Sequence, residues 1–227
     1  MTVFRTYELA DAFNDILQLR HESDYVCVPV VTSSGTIHKV VSKDMPGNLG
    51  NFRFLSGTEV FGGGIIASSA KTKYELEEYY EREGIFAVVV KALACGRLWY
   101  EDPRLPENNN AVIVEIKYPA PKNHDSEYIL LNLIHRELGL RGINNGRLQL
   151  ITERIPCASC TSVISRFKAD HPDVEVEVYY FMDTMSVKKK QNVVRTSKEV
   201  LQELAGTRVS LFQCVEQGGV VDTFRQS

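Results

Sequence analysis

Hydrophobic and polar positions follow two different periods through the second half of the chain. Apolar residues recur every three or four positions in some segments, as in helices, and every second position in others, as in strands. Helices are predicted at 125–138, 157–168 and 197–204, and strands at 147–152, 174–181 and 209–214. Because a helix between two strands usually forms a crossover, this order predicts a mainly parallel α/β arrangement.

The first half of the chain has shorter and less regular elements. Apolar residues with helical spacing predict a helix over 9–19, and strands predicted over 25–31 and 36–41 would complete a small αββ unit. The glycine-rich segment 44–69 is predicted to be a connection with one short strand at 64–67. A further helix and three strands are predicted at 72–83, 86–93, 96–100 and 111–118.

This change of pattern predicts that the chain consists of an N-terminal extension, a main domain and a C-terminal tail. Residues 1–70 are expected to be an N-terminal α+β extension of unknown role, and residues 71–216 the main domain. Residues 217–227 show no clear periodicity and are expected to form a C-terminal tail that frays.

Composition limits how the chain could bind nucleic acid, cross a membrane or be exported. The net charge of -3 indicates that any nucleic-acid binding would depend on a local basic patch. No apolar run is long enough to span a membrane, and acidic residues among the first twenty argue against a cleaved signal peptide. The expected location is the cytoplasm, or outside the cell after delivery without a cleavable signal. Three of the five cysteines are scattered and are expected to be buried as small apolar residues; they are Cys27, Cys95 and Cys214.

The other two cysteines form a Pro-Cys-Ala-Ser-Cys motif at 156–160, where a strand is predicted to give way to a helix. Cys157 and Cys160 are three residues apart, so both sulfurs can reach one ion. The N–H groups and dipole of a helix N-terminus stabilise thiolates, which are the form that zinc binds. A redox pair, a structural zinc site and a cysteine nucleophile assisted by His124 are the alternatives.

Zinc-dependent base deaminases combine an H-x-E motif with a later P-C-x-x-C motif. Zinc lowers the pKa of a bound water to about 7, and a glutamate that does not bind zinc moves the protons. One H-x-E match, His135-Arg136-Glu137, lies inside a predicted helix, where its first and third side chains point to nearly opposite sides. Both side chains are therefore predicted to be solvated.

The segment Asp125-Ser126-Glu127 has the same spacing at the start of that helix, with aspartate in the position of the histidine. Aspartate is an accepted zinc ligand. His124 is the alternative ligand, and an N-cap role is the alternative for Asp125.

The segments 124–131 and 152–167 resemble the nucleic acid and nucleotide (cytidine) deaminase superfamily, most closely the deaminase domains of bacterial polymorphic toxins. The resemblance spans 86–214. It implies an α/β, cytidine-deaminase-like three-layer fold whose central mixed sheet of about five strands is flanked by helices. It also implies that Glu127 is the proton shuttle and that Asp125, Cys157 and Cys160 hold Zn²⁺, with His124 as the alternative third ligand.

The predicted function is therefore that of a zinc-dependent hydrolase of amidine C–N bonds that converts cytosine to uracil in single-stranded DNA or RNA. The alternatives are a deaminase of free nucleosides or nucleotides (cytidine or adenosine) and a non-catalytic zinc-binding module. An immunity protein or another partner is expected if the role is that of a toxin. Five residues are predicted to contact the substrate, through phosphates or base stacking: Lys188, Lys189, Lys190, Arg195 and Tyr128.

Overall fold

The computed structural model of the chain describes residues 8–21, 29–32, 37–39, 48–57, 59–62, 66–68, 91–93, 97–101, 111–122, 125–182, 195–217 and 220–227. The helices in these residues are α1 (Leu9–His21), α2 (Ser126–Arg141), α3 (Ala158–Asp170) and α4 (Ser197–Glu203). The strands are β1 (Pro29–Thr32), β2 (Ile37–Lys39), β3 (Leu49–Ser56), β4 (Glu59–Gly62), β5 (Ile66–Ser68), β6 (Lys91–Leu93), β7 (Arg97–Glu101), β8 (Ala111–Glu115), β9 (Gly146–Arg154), β10 (Val174–Met182), β11 (Val209–Gln217) and β12 (Val220–Arg225).

The principal sheet is mixed. Its strand order is β12-β11-β10-β9-β3-β5-β1-β2, and β4 pairs with β3 outside this path. Strands β9, β10 and β11 run parallel, which confirms the arrangement predicted from the helix–strand alternation. Strands β3 and β12 run antiparallel to their neighbours β9 and β11. A separate three-stranded antiparallel sheet contains β6, β7 and β8.

The sheet is wider than the five or so strands expected, because two segments without a clear pattern also form strands. The glycine-rich segment 44–69, predicted to be mainly a connection, contains β3, β4 and β5. Its Phe52 and Phe54 are 1% and 0% exposed, so alternate residues of β3 face the core. The expectation that 217–227 frays was also wrong, because β12 hydrogen-bonds to β11. The predicted helix at 72–83 lies outside the described residues, and the domain boundary at residue 70 stays a prediction.

Helices cover both faces of the sheet. Leu150 of β9 is buried in the same cluster as Leu130 of α2 and Ile164 of α3. The next residue of β9, Ile151, is buried with Phe13 of α1 in a second cluster. Because successive residues of a strand point to opposite faces, α1 lies on the face opposite α2 and α3. The predicted three-layer arrangement is confirmed.

Two smaller expectations concern burial and membranes. Cys214 is 2% exposed in the second cluster, as predicted for a small apolar side chain, whereas Cys27 and Cys95 lie outside the described residues. Among the described helices, none is both long and apolar enough to cross a membrane.

Gly50 brings β3 into close contact with the start of α2. A Cβ added at Gly50 would lie 3.0 Å from the Ser126 Cβ and 3.2 Å from the Leu130 Cδ1. Ser126 lies between Asp125 and Glu127, so this contact positions both predicted site residues.

We expect Gly50→Ala to lower the free energy of unfolding by about 1–3 kcal/mol, because the added methyl overpacks a filled core. The matched control is Gly139→Ala in α2, where an added Cβ meets nothing within 4 Å. That control should raise stability by about 0.5–1 kcal/mol through its better helix propensity. Denaturant unfolding measures both changes. Equal stability of the two variants would contradict the tight strand–helix contact.

Candidate metal centre and proton shuttle

The Pro-Cys-Ala-Ser-Cys motif forms the predicted strand-to-helix junction. Strand β9 ends at Arg154, and Cys157 is the N-cap of α3 with its Sγ accepting a hydrogen bond from the Cys160 backbone N–H at 3.4 Å. The two sulfurs lie 3.4 Å apart as free thiols. The two cysteines are 7% and 2% exposed. The helix N-terminus therefore holds both sulfurs side by side in a buried place.

Asp125 approaches both sulfurs from the start of α2. Its backbone occupies the N-cap position, but its side chain makes no capping hydrogen bond. Instead, the Asp125 Oδ2 lies 3.2 Å from the Cys157 Sγ and 3.3 Å from the Cys160 Sγ. The N-cap alternative therefore explains the backbone of Asp125 and leaves the direction of its side chain unexplained.

These three groups fit a zinc site. One ligand atom from each of the three residues lies within 4.8 Å of the others, the sole such group found among the described residues. Zinc–sulfur bonds of about 2.3 Å and zinc–oxygen bonds of about 2.0–2.2 Å would separate tetrahedral ligands by about 3.5–3.8 Å. The observed separations are slightly shorter, as expected for groups joined by hydrogen bonds. His124, the alternative ligand, lies outside the described residues.

The electrostatics of the cysteine pair favour a cation. The pKa of Cys157 is lowered, chiefly by the hydrogen bond between its sulfur and that of Cys160. The pKa of Cys160 is raised well above its usual value by that same hydrogen bond, by burial, and by the negative charge of Glu127. Cys157 therefore ionises more easily than Cys160, and a cation beside the two sulfurs would favour the thiolate form of both.

Glu127 lies in the first turn of α2 and is 2% exposed. Its Oε2 accepts a hydrogen bond from the Ser126 hydroxyl at 2.9 Å. Its Oε1 accepts from the Thr152 hydroxyl at 3.1 Å and from the Asn48 amide at 3.2 Å. Burial raises the pKa of Glu127, backbone hydrogen bonding lowers it, and the nearby charge of Asp125 raises it further. A carboxyl group that exchanges protons near neutral pH benefits from this environment.

Sequence reasoning missed Asn48 and Thr152. Asn48 immediately precedes β3, and its Nδ2 also donates to the Thr152 Oγ1 at 2.7 Å and to the Ser126 Oγ at 3.2 Å. Its Oδ1 accepts from the Arg154 backbone N–H at 2.9 Å. Asn48 belongs to no motif, and an asparagine among glycines is usually a turn residue. Thr152 begins the resembling segment 152–167, but the resemblance gave it no role.

The predicted substrate-contacting residues have different surroundings. Lys188, Lys189 and Lys190 lie outside the described residues. The Arg195 side chain is 11% exposed and forms an ion pair with Glu203. Tyr128 is 3% exposed and belongs to the main core cluster, so its ring presents little surface for stacking on a base.

The residues of the rejected H-x-E match have hydrogen-bond and ion-pair partners other than the cysteines. The His135 Nδ1 is 3.1 Å from the Tyr118 hydroxyl and 2.9 Å from the His171 Nε2. The expectation that both side chains are solvated was wrong for Glu137, which is 7% exposed. Two arginines flanking it on α2, Arg136 and Arg141, form ion pairs with its carboxylate and permit its burial.

Comparison with protein families matches residues 88–182 to Toxin-deaminase, described as the BURPS668_1122 family of deaminases. The match supports a toxin-type deaminase domain of the cytidine deaminase superfamily in this part of the chain. The matched segment covers less than half of the chain but includes Asp125, Glu127 and both motif cysteines. It confirms the predicted resemblance and supports a deaminase function, and hence hydrolysis of a C–N bond. None of the curated proteins matches the chain.

We expect Asp125→Asn to reduce zinc affinity by at least about 10²-fold, because a neutral amide replaces an anionic ligand. The Asp125 side chain makes no capping hydrogen bond, so the zinc-free protein should lose no stability. Thr196→Ala is the matched control, since Thr196 caps α4 through a capping box. That variant should lose about 0.5–2 kcal/mol of stability and keep its zinc.

Metal analysis and thermal unfolding separate these outcomes. Full zinc content in the Asp125→Asn protein would show that Asp125 is not a ligand and would transfer that role to another residue.

Proposed function

We propose that this chain is a zinc-dependent hydrolytic deaminase that converts cytosine to uracil in single-stranded DNA or RNA. The observation that carries the proposal is the buried Glu127 carboxylate beside the group formed by Asp125, Cys157 and Cys160. A structural zinc site has no use for a neighbouring carboxylate that does not bind the ion, whereas hydrolytic deamination requires one.

Asp125, Cys157 and Cys160 would hold the zinc ion through one oxygen and two sulfurs, leaving a fourth position for water. When bound, the ion would supply the acidification of that water. The N-termini of α2 and α3 both point toward this place, since Asp125 and Cys157 are their N-caps. Their partial positive charges offset part of the negative charge of the ligands.

Glu127 would move the protons of the reaction. A carboxylate oxygen of Glu127 takes a proton from the attacking water and passes it to the cytosine ring nitrogen N3. The carboxyl group then carries the second water proton to the departing amino group, which leaves as ammonia. Cytosine and water are thereby converted to uracil and ammonia. Hydrogen bonds from Ser126 and Thr152 hold the carboxylate in one orientation throughout.

The place of the basic run in the sequence supports a polymeric substrate. Strands β9 and β10 are parallel, and Arg154 pairs with Met182 at their carboxyl ends. The cysteine motif follows β9 at this edge of the sheet, and the chain continues from Met182 toward three consecutive lysines at 188–190. In the proposed function, these lysines would neutralise the phosphates of a strand whose base enters the site.

We expect the zinc-loaded protein to form uracil in single-stranded DNA or RNA and Glu127→Gln to reduce kcat by about 10²- to 10⁴-fold with zinc content unchanged. Glu175→Gln is the matched control, because Glu175 is half exposed and pairs with Arg147 on the sheet surface. It should retain the native rate. Sequencing of reacted oligonucleotides measures the conversion.

The salt dependence of the rate tests the polymeric substrate. Release of counterions from phosphates makes polymer binding weaken steeply with added salt. Conversion of free cytidine in place of the polymers, with little salt dependence, would favour the nucleoside alternative. Full activity of Glu127→Gln would contradict the assigned proton shuttle.

A further inference from the structure

The orientation of the Asn48 amide is fixed by its surroundings. The Arg154 backbone N–H can only donate, so the atom 2.9 Å from it must be the Asn48 oxygen. The amide nitrogen is consequently turned toward Glu127, Thr152 and Ser126, whose oxygens lie 2.7–3.2 Å away. Asn48 therefore joins the peptide that leads into the cysteine motif to the carboxylate in α2.

We propose that Asn48 is a positioning residue for Glu127, contributed to the deaminase site by the N-terminal part of the chain. Its amide is a neutral donor held at the carboxylate by the Arg154 peptide, and it fixes the direction in which Glu127 faces the reacting groups. Asn48 lies outside the segment 88–182 that matches the toxin-type deaminases. The matched segment would thus lack a donor that the complete site uses.

Asn48 also restricts the direction in which the Thr152 hydroxyl hydrogen points. The Thr152 Oγ1 has one hydrogen and two acceptors, the Glu127 Oε1 and the Arg154 carbonyl oxygen, each at 3.1 Å. The Asn48 N–H occupies a lone pair of this oxygen at 2.7 Å, which leaves the hydroxyl hydrogen to point away from Asn48. Asn48 therefore donates to Glu127 directly and also leaves the Thr152 hydrogen for Glu127 or the Arg154 carbonyl oxygen.

The strand that directly follows Asn48 is packed against two other elements of the site. Asn48 is directly followed by β3, in which Gly50 pairs with Thr152 of β9. Gly50 also contacts Ser126, so this end of β3 is fixed against both β9 and α2. A side chain on such a rigid support can hold another group to the precision that catalysis needs.

The test is Asn48→Asp in the full-length, zinc-loaded chain. The aspartate can still accept from the Arg154 N–H, but its second oxygen would face the Glu127 Oε1 with no hydrogen between them. Because this inference rests on the proposed function, the substrate is the single-stranded DNA or RNA that the native protein converts. We expect kcat to fall by about 10²-fold or more, with KM within threefold and zinc content unchanged.

Two further variants separate positioning from other effects. Asn145→Asp adds the same charge at an exposed residue before β9 and should leave kcat unchanged. Asn48→Ala removes the donor without adding charge and should lower kcat by less than Asn48→Asp does. An activity within threefold of native for Asn48→Asp, or a loss explained by lost zinc or unfolding, would overturn the inference.

A readout independent of activity keeps the two proposals distinguishable. In a crystal structure of Asn48→Asp, we expect the Glu127 carboxylate to turn away from Thr152. An unchanged Glu127 would overturn the positioning role whatever the activity. A native protein that converts neither polymer would instead refute the proposed function, while the displaced carboxylate would still show that Asn48 positions it.

Discussion

Two helix N-termini converge on one buried point, and the rest of the site depends on this constraint. Helix α2 contributes Asp125 and Glu127, and helix α3 contributes Cys157 and Cys160. Four groups that can carry negative charge are thereby gathered, three of them buried and Asp125 partly exposed. Such a cluster is unfavourable unless positive charge accompanies it. The helix dipoles supply part of that charge, and a zinc ion would supply the remainder.

The sheet makes this convergence rigid. Strand β9 ends where the cysteine motif begins, and β3 lies beside it with Gly50 against Ser126 of α2. The N-terminal part of the chain is thus packed directly against the site, and Asn48 extends it to the Glu127 carboxylate. The segment that matches the toxin-type deaminases therefore does not include all the groups that surround the carboxylate.

Short motifs made the central residues predictable from the sequence. A proline followed by two cysteines three residues apart, placed between a strand and a helix, has few structural meanings, and Glu127 followed from the spacing of the second motif. Asn48 and Thr152 were not predictable, because their roles depend on contacts across 79 and 25 residues of sequence. Strand β3 was not predicted for a similar reason. Glycines in this segment suggested a loop, and the sequence does not show that Gly50 is needed for the close contact with α2.

X-ray absorption at the zinc edge of the native protein, combined with its metal content, tests the central claim most directly. The account predicts about one zinc per chain, with two sulfur ligands at about 2.3 Å and the remaining oxygen or nitrogen ligands at about 2.0–2.2 Å. An absence of zinc, with Cys157 and Cys160 joined in a disulfide, would contradict the account and favour a redox role for the motif. Four sulfur ligands per zinc would also contradict it, because the ion would then bridge two chains and offer no position for water.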